Sequence, residues 1–189
     1  MKPRTTCLLI VFVYGLAGFA STGRGPQSTR KTRDNPTEIP GYNCAKGYAW
    51  FYDDGRLERC TVARDTTFGA AQVPAGSIIV LDPDGNPKFA LLSRNWPILG
   101  SMCRGGGWLG PSEGPDTAFY PNGKPRACWL AGDQDVQGVP CMDSGGFFAA
   151  VSGHGNRDVE FYDSGRLKSC TLAKDFAGLR RGQLFAQAP

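Results

Sequence analysis

Histidine, closely spaced cysteine pairs and long apolar runs are scarce or missing in this sequence. Its single histidine is His154, so a chymotrypsin-like triad, which needs a histidine well upstream of its serine, has no residue for that role. The close cysteine pairs typical of zinc sites are absent. The apolar run at residues 7–17 is too short to span a bilayer. These absences argue against a serine protease, a cysteine zinc site and a membrane-spanning anchor.

Most of the chain also has no net charge. The whole sequence has a formal net charge of +4, but residues 41–189 contain 15 basic and 15 acidic residues. Part of the excess lies in a polar stretch with Arg24, Arg30, Lys31 and Arg33. Because a neutral domain lacks the field that attracts phosphate backbones, we expect no nucleic-acid partner.

The N-terminus has the pattern of a secretory signal peptide at residues 1–20. Basic residues precede the apolar run, and the small residues Gly18 and Ala20 follow it. We expect cleavage after about Ala20, no membrane span thereafter, and a secreted or periplasmic protein. Cys7 lies at the front of the apolar run rather than behind it, which argues against a lipid anchor. Residues 21–40 are predicted to be a disordered basic linker, and residues 41–189 a single domain.

Four stretches of this domain repeat one pattern. Apolar and aromatic residues lead into a polar turn that ends in Gly, and an alternating run follows, at residues 51–65, 81–95, 119–133 and 161–175. Pairs such as Asp54-Gly55 and Asn122-Gly123 favour tight two-residue hairpin turns, so each stretch predicts two antiparallel strands. The period of two predicts a core face formed by Cys60, Val62, Ala90, Leu92, Cys128, Leu130, Cys170 and Leu172.

A second shared element precedes each hairpin. It has an apolar residue, Gly two places later and Cys three places after that, as in residues 39–44, 98–103 and 136–141. The repeat units are therefore predicted at residues 39–65, 68–95, 98–133 and 136–175, with a C-terminal cap at 176–189. In the second unit, Ala75 and Ala90 are assigned to the two cysteine positions, so both cysteines are missing together.

That joint absence suggests how the cysteines pair. Removal of Cys7 with the signal peptide leaves six cysteines, and spacing alone leaves fifteen connectivities open. If partners lie within one unit, loss of one cysteine removes the reason to keep the other. We therefore expect disulfides Cys44–Cys60, Cys103–Cys128 and Cys141–Cys170, in agreement with an exported protein.

The hairpins resemble a known repeat family. The aromatic-x-Asn-Gly-Lys pattern at Phe119–Lys124, and its variant at residues 161–167, are similar to the core of MORN-type repeats, especially their bacterial secreted form. The resemblance implies successive hairpins in an elongated sheet and a scaffolding or binding role. This chain departs from the family in its cysteines and in its irregular period, since the turn glycines lie 30, 38 and 42 residues apart.

Two inserts lengthen the third and fourth units. Residues 104–117 and 145–158 enter at the same place, between the first cysteine of the unit and the incoming strand. Inserts of repeat proteins collect on one face, which is often the binding face. Candidate contact residues are Trp108, Phe147, Phe148 and His154; the alternative is that these aromatic side chains cover the core.

Three segments resemble catalytic or metal motifs. Residues 143–146, with Ser144, resemble the sequence around a protease nucleophile, and Ser144 or Ser152 could use His154 as a base with Asp158 behind it. Residues 82–86 imitate a calcium loop but lack its closing Glu. We predict no catalytic residue, metal or cofactor.

The sequence thus predicts a mostly β protein of four antiparallel hairpin repeats, in an extended or partly closed sheet stapled by disulfides. The expected function is a non-catalytic binding or structural module for an unknown protein or envelope component. Recognition would use the insert loops or an open sheet edge. The alternatives are a small secreted hydrolase using Ser144 or Ser152 with His154, and an envelope stabiliser that contributes only its fold. The sequence leaves the oligomeric state open.

Overall fold

The computed structural model describes residues 38–39, 41–106, 116–145 and 158–189. These residues form sixteen β-strands and no helix. The described part of the chain accordingly has no helix that is long and apolar enough to cross a membrane. The predicted mostly β fold is confirmed.

The first eight strands are β1 (Glu38–Ile39), β2 (Tyr42–Phe51), β3 (Leu57–Val62), β4 (Thr66–Phe68), β5 (Ala71–Val73), β6 (Ile78–Leu81), β7 (Pro87–Leu91) and β8 (Trp96–Ile98). The other eight are β9 (Ser101–Cys103), β10 (Asp116–Phe119), β11 (Pro125–Cys128), β12 (Gln134–Val136), β13 (Val139–Cys141), β14 (Val159–Phe161), β15 (Leu167–Thr171) and β16 (Leu184–Ala186).

Ten strands form one open antiparallel sheet. Their order is β1-β2-β3-β6-β7-β10-β11-β14-β15-β16, so each strand lies beside the strands next to it in the repeat series. Four long hairpins supply eight of them: β2–β3, β6–β7, β10–β11 and β14–β15. Within each long hairpin we call the second strand the return strand. β1 and β16 lie at the two edges.

The long hairpins share one turn, which differs from the predicted type. The Gly55 N–H donates to Tyr52 O and the Tyr52 N–H donates to Arg56 O, each at 2.9 Å. Gly55 has φ +85°, whereas Asp54 is not among the described residues with positive φ. This is a type I turn closed by a glycine bulge, a three-residue loop. The predicted two-residue turn is therefore wrong, because only the glycine adopts the left-handed conformation.

Short hairpins connect the long ones. They are β4–β5, β8–β9 and β12–β13, and each occupies the place of the apolar-Gly-Cys element recognised in the sequence. In β8–β9, Ile98 lies opposite Ser101, and Leu99 and Gly100 turn the chain with φ of 49° and 79°. This is the mirror-image turn that fits strand twist. These hairpins were not predicted from the sequence.

The core lies between one face of the main sheet and the short hairpins. The eight residues predicted to form a core face are all buried, with no more than 4% of any of them exposed. They form one cluster with side chains of the short hairpins, including Phe68, Ile98 and Val136. Phe68 also packs edge-on against Phe119 at 5.0 Å between ring centroids. The predicted alternation of buried residues is confirmed.

All three predicted disulfides are present. Cys44–Cys60, Cys103–Cys128 and Cys141–Cys170 close separations of 16, 25 and 29 residues. Each joins a return strand to the strand that follows the short turn of the same unit. By the loop-entropy estimate, each contributes about 3 to 4 kcal/mol to stability. Three disulfides are compatible with an extracellular or periplasmic location.

The second unit replaces its disulfide with apolar side chains. The strand register puts Val73, and not Ala75, at the position of Cys103 and Cys141. The assignment of Ala75 is wrong by two residues, because Val73 lies five residues after Phe68, as Cys103 lies five residues after Ile98. Ala90 does occupy the return-strand position. Val73 and Ala90 are both 0% exposed, so this unit fills the site with aliphatic packing.

Tyrosines at the long turns tie neighbouring units together. The Tyr52 hydroxyl donates to Leu81 O and the Tyr120 hydroxyl donates to Phe161 O, both at 2.9 Å. The second unit has Asp82 at this position, and its carboxylate accepts two backbone N–H groups of its own turn. The calcium-like pattern at residues 82–86 therefore stabilises a hairpin loop.

Candidate functional site

The two inserts begin beside one another. Arg104 directly follows β9 and Asp143 lies two residues after β13, and their side chains form an ion pair and a hydrogen bond. The Arg104 side chain is 27% exposed and the Asp143 side chain 37% exposed, so the pair is only partly solvated. Residues that are far apart in sequence thus connect the starting points of both inserts.

The end of β11 supports both starting points. The Arg104 N–H donates to Trp129 O at 2.6 Å, and the Leu130 N–H donates to Ser144 Oγ at 2.8 Å. Leu130 also forms a β-bridge with Cys103. Hydrogen bonds are directional and short, so the two residues that follow β11 fix the positions at which Arg104 and Ser144 leave the sheet.

The second insert returns at the same place. β14 pairs with β11 through Val159 and Cys128, and the next residues in this register are Asp158 and Trp129. The Asp158 carboxylate accepts a hydrogen bond from the Trp129 side chain. We call Arg104, Asp143, Ser144, Trp129 and Asp158 the insert root. It contains an aromatic side chain, an ion pair and a half-buried carboxyl group.

Burial raises the pKa of Asp158 above its ordinary value. The hydrogen bond from Trp129 lowers the pKa, and the negative charge of Glu160 raises it further, but desolvation is the largest cause. A carboxyl group with a raised folded-state pKa stabilises the fold when protonated, and this contribution is lost as the pH rises through that pKa.

We therefore expect Asp158→Asn to stabilise the protein increasingly as the pH rises. The variant removes the ionisation that favours the unfolded state but keeps an oxygen that accepts from Trp129. Melting temperatures of both proteins between about pH 3 and pH 7 should diverge upwards from about pH 4. Asp163→Asn is the matched control, because the hydrogen bond from Asn122 lowers the pKa of Asp163 and reverses the sign. A difference in melting temperature between Asp158→Asn and the unsubstituted protein that does not change with pH would contradict the raised pKa of Asp158.

In the described part of the chain, buried polar side-chain atoms without a hydrogen-bond partner lie mostly near the ends of the inserts. Among the described residues, four buried side-chain atoms lack a hydrogen-bond partner: Arg104 Nε, Thr117 Oγ1, Asp158 Oδ1 and Glu58 Oε2. The first three lie at the strand ends where the inserts leave or rejoin the sheet. Buried polar atoms without partners are uncommon and destabilising. The strand ends beside the inserts are therefore packed, yet they keep polar atoms that could form further hydrogen bonds.

The sequence-predicted site residues are only partly covered. Trp108, Phe147, Phe148 and His154 lie outside the described residues, as does Ser152. Ser144 is described, and only 3% of it is exposed. Its Oγ accepts the Leu130 N–H, so this hydroxyl supports β11. In this conformation Ser144 is not presented to solvent as a nucleophile would be.

The insert root was not predicted from the sequence as one site. Arg104 and Trp129 carried no motif, Asp143 belonged only to the protease-like motif, and the ion pair joins residues 39 positions apart. The available signal was that both inserts enter at equivalent positions of neighbouring units. Within the described ranges, no group of three or more histidine, cysteine or acidic side chains is arranged to hold a metal ion. No protein-family model, curated protein or solved structure matches this chain.

Proposed function

We propose that this chain is a secreted or periplasmic binding module without catalytic activity. MORN-like hairpin repeats present the inserts at residues 104–117 and 145–158 to a protein or another component of the cell envelope. The observation that carries the proposal is the Arg104–Asp143 pair, which joins the starting points of both inserts. Two segments that leave the sheet from one root can act as one contact surface.

The composition of the inserts supports protein recognition. Trp108, Phe147 and Phe148 are large aromatic residues in glycine-rich segments. Aromatic side chains are enriched in protein interfaces and often dominate binding energy. The unit without an insert shows that the scaffold does not need these segments, since Pro74 to Ser77 join β5 directly to β6. The additional residues therefore serve a purpose other than connecting strands.

Site-specific photo-cross-linking in the producing cells tests the proposal. A photoreactive phenylalanine analogue placed at Trp108 or at Phe147 should yield the same cross-linked partner. Leu99 is the control position, because it is 43% exposed at the tip of a short hairpin. Adducts at all three positions alike, or none at Trp108 and Phe147, would argue against recognition by the inserts.

Shortened variants separate binding from folding. Residues 104–115, or 142–157, are replaced by residues 74–77 of the second unit, which make the equivalent connection. We expect both variants to keep three disulfides and a cooperative melting transition but to lose the cross-linked partner. A hydrolase would instead be indicated if the purified protein cleaved a nitrophenyl ester and His154→Ala abolished that turnover.

A further inference from the structure

The last strand of the sheet has the geometry of a first strand, and no return strand lies beside it in the described part of the chain. β16 pairs with β15 through Phe185 and Cys170, as β14 pairs with β11 through Val159 and Cys128. A short turn also precedes β16, where Phe176 forms a bridge with Leu179. β16 therefore begins a fifth unit in the same register as the four complete ones.

Hydrogen bonds confirm this equivalence. The Tyr162 hydroxyl donates to Gln187 O at 2.6 Å, as the Tyr120 hydroxyl donates to Phe161 O. The Gly182 N–H donates to Leu172 O at 2.8 Å, and the equivalent Gly76 N–H donates to Val62 O at the same distance. The fifth unit is thus built like the others as far as its first strand.

The outer edge of β16 offers backbone hydrogen bonds. Leu172 donates to Gln183 O and Gln187 donates to Lys168 O, so residues 183, 185 and 187 face β15. In an antiparallel ladder the alternate residues, Leu184 and Ala186, then direct their N–H and C=O groups away from β15. In the described part of the chain, no strand pairs with this edge. Leu184 is 65% exposed.

We propose that this edge binds an extended segment of a partner protein, which takes the position of a fifth return strand. The four complete units specify its chemistry. Each return strand has a Cys or Ala opposite the core residue of the first strand, and a Val or Leu two residues after that Cys or Ala. Ala90 and Leu92 are the example in the second unit. Residues 182–189 contain no charged side chain, so they place no charge next to the bound segment. Main-chain hydrogen bonds supply affinity, and the alternate side chains supply specificity.

A second copy of this chain fits the edge less well. Two β16 strands paired about Phe185 would place one phenylalanine opposite another, whereas every complete unit has a small residue at that position: Cys60, Ala90, Cys128 or Cys170. β16 is separated from β14 by β15, so the β16 edge does not use the insert root. Binding at this edge and recognition by the inserts can therefore be tested independently.

A peptide taken from the second unit serves as the probe. Residues 85–93 contain the one return strand that has no cysteine. We expect the fluorescein-labelled peptide to bind the oxidised full chain saturably in an anisotropy titration, and to protect the amides of Leu184 and Ala186 from hydrogen exchange. A peptide with arginine in place of Ala90 is the matched control, since its side chain would meet Phe185.

Ala186→Pro removes one outward N–H without removing a hydrogen bond to β15, and proline is tolerated at such an edge. It should weaken peptide binding about tenfold or more while the melting temperature stays unchanged. The proposal is overturned if the peptide does not bind up to about 1 mM, or if Ala186→Pro leaves its binding intact. Self-association of the protein that Ala186→Pro abolishes would likewise overturn it and assign the edge to a second copy. The shortened-insert variants should bind the peptide normally.

Discussion

Replacement of Gly69 by Ala is expected to destabilise the protein by about 3 kcal/mol or more. A Cβ atom at this position would lie 2.1 Å from Gly123 O, a backbone atom that cannot turn aside. The Ala70 N–H donates to the same oxygen at 2.8 Å, so relief of the clash would also break this hydrogen bond. For a domain of this size we expect the melting temperature to fall by roughly 6 to 12 °C.

Gly138→Ala is the matched control for the Gly69 variant. Gly138 also lies at a short turn with positive φ, +86°, but a Cβ atom there would have nothing within 4 Å. Its replacement should cost only about 1 kcal/mol for the left-handed backbone. Equal losses of stability in the two variants would show that the contact between the second and third units has no energetic importance.

Removal of the Cys141–Cys170 disulfide is expected to have a similarly large effect. Cys141→Val with Cys170→Ala copies the Val73 and Ala90 pair of the second unit, so packing is retained and only the loop constraint is lost. We expect a loss of about 3 to 4 kcal/mol in urea unfolding. Double replacement by serine should cost about 1 to 3 kcal/mol more, because it buries hydroxyl groups.

Cysteines introduced into the second unit test whether Val73 and Ala90 are equivalent to Cys141 and Cys170. Val73→Cys with Ala90→Cys should form a fourth disulfide spontaneously on oxidation, leaving no thiol that reacts with a maleimide. If these cysteines stay free, or if serine and the valine-alanine pair destabilise the protein equally, the structural match between the units is wrong at this position.

The long hairpins and their core face could be predicted because local signals and burial agree. Alternation in the return strands set the buried face, and the joint loss of two cysteines in one unit indicated the pairing. The turn type could not be read from Asp54-Gly55 alone. The same dipeptide suits either a two-residue turn or the end of a three-residue loop, and only the bulge in the sheet distinguishes them.

The short hairpins could not be predicted because of the residues in their turns. Leu99, Gln137 and Ala177 adopt positive φ values between 49° and 52°, a conformation that ordinarily favours Gly or Asn. Their glycine partners were visible as a repeated element, but nothing local identified a turn. A two-residue loop between antiparallel strands requires this conformation at both of its residues. The contact between Gly69 and Gly123 is also tertiary, and so has no local signal.

The candidate site could be predicted only in outline. Equivalent points of insertion located it, and the aromatic residues suggested binding. The root that joins the inserts depends on the Arg104–Asp143 pair and on β11 backbone groups, which neighbouring units bring together through the sheet. Asp158 entered the sequence analysis only as a possible partner of His154, whereas the structure gives it Trp129 as a hydrogen-bond donor.

This chain folds into hairpin units, each closed by its own disulfide where cysteines are present, and we propose that it is exported. Non-reducing peptide mass mapping of the protein, exported with its own leader, tests it most directly. We expect a new N-terminus close to Ser21 and the linkages Cys44–Cys60, Cys103–Cys128 and Cys141–Cys170. A retained leader, free thiols or linkages between units would contradict it.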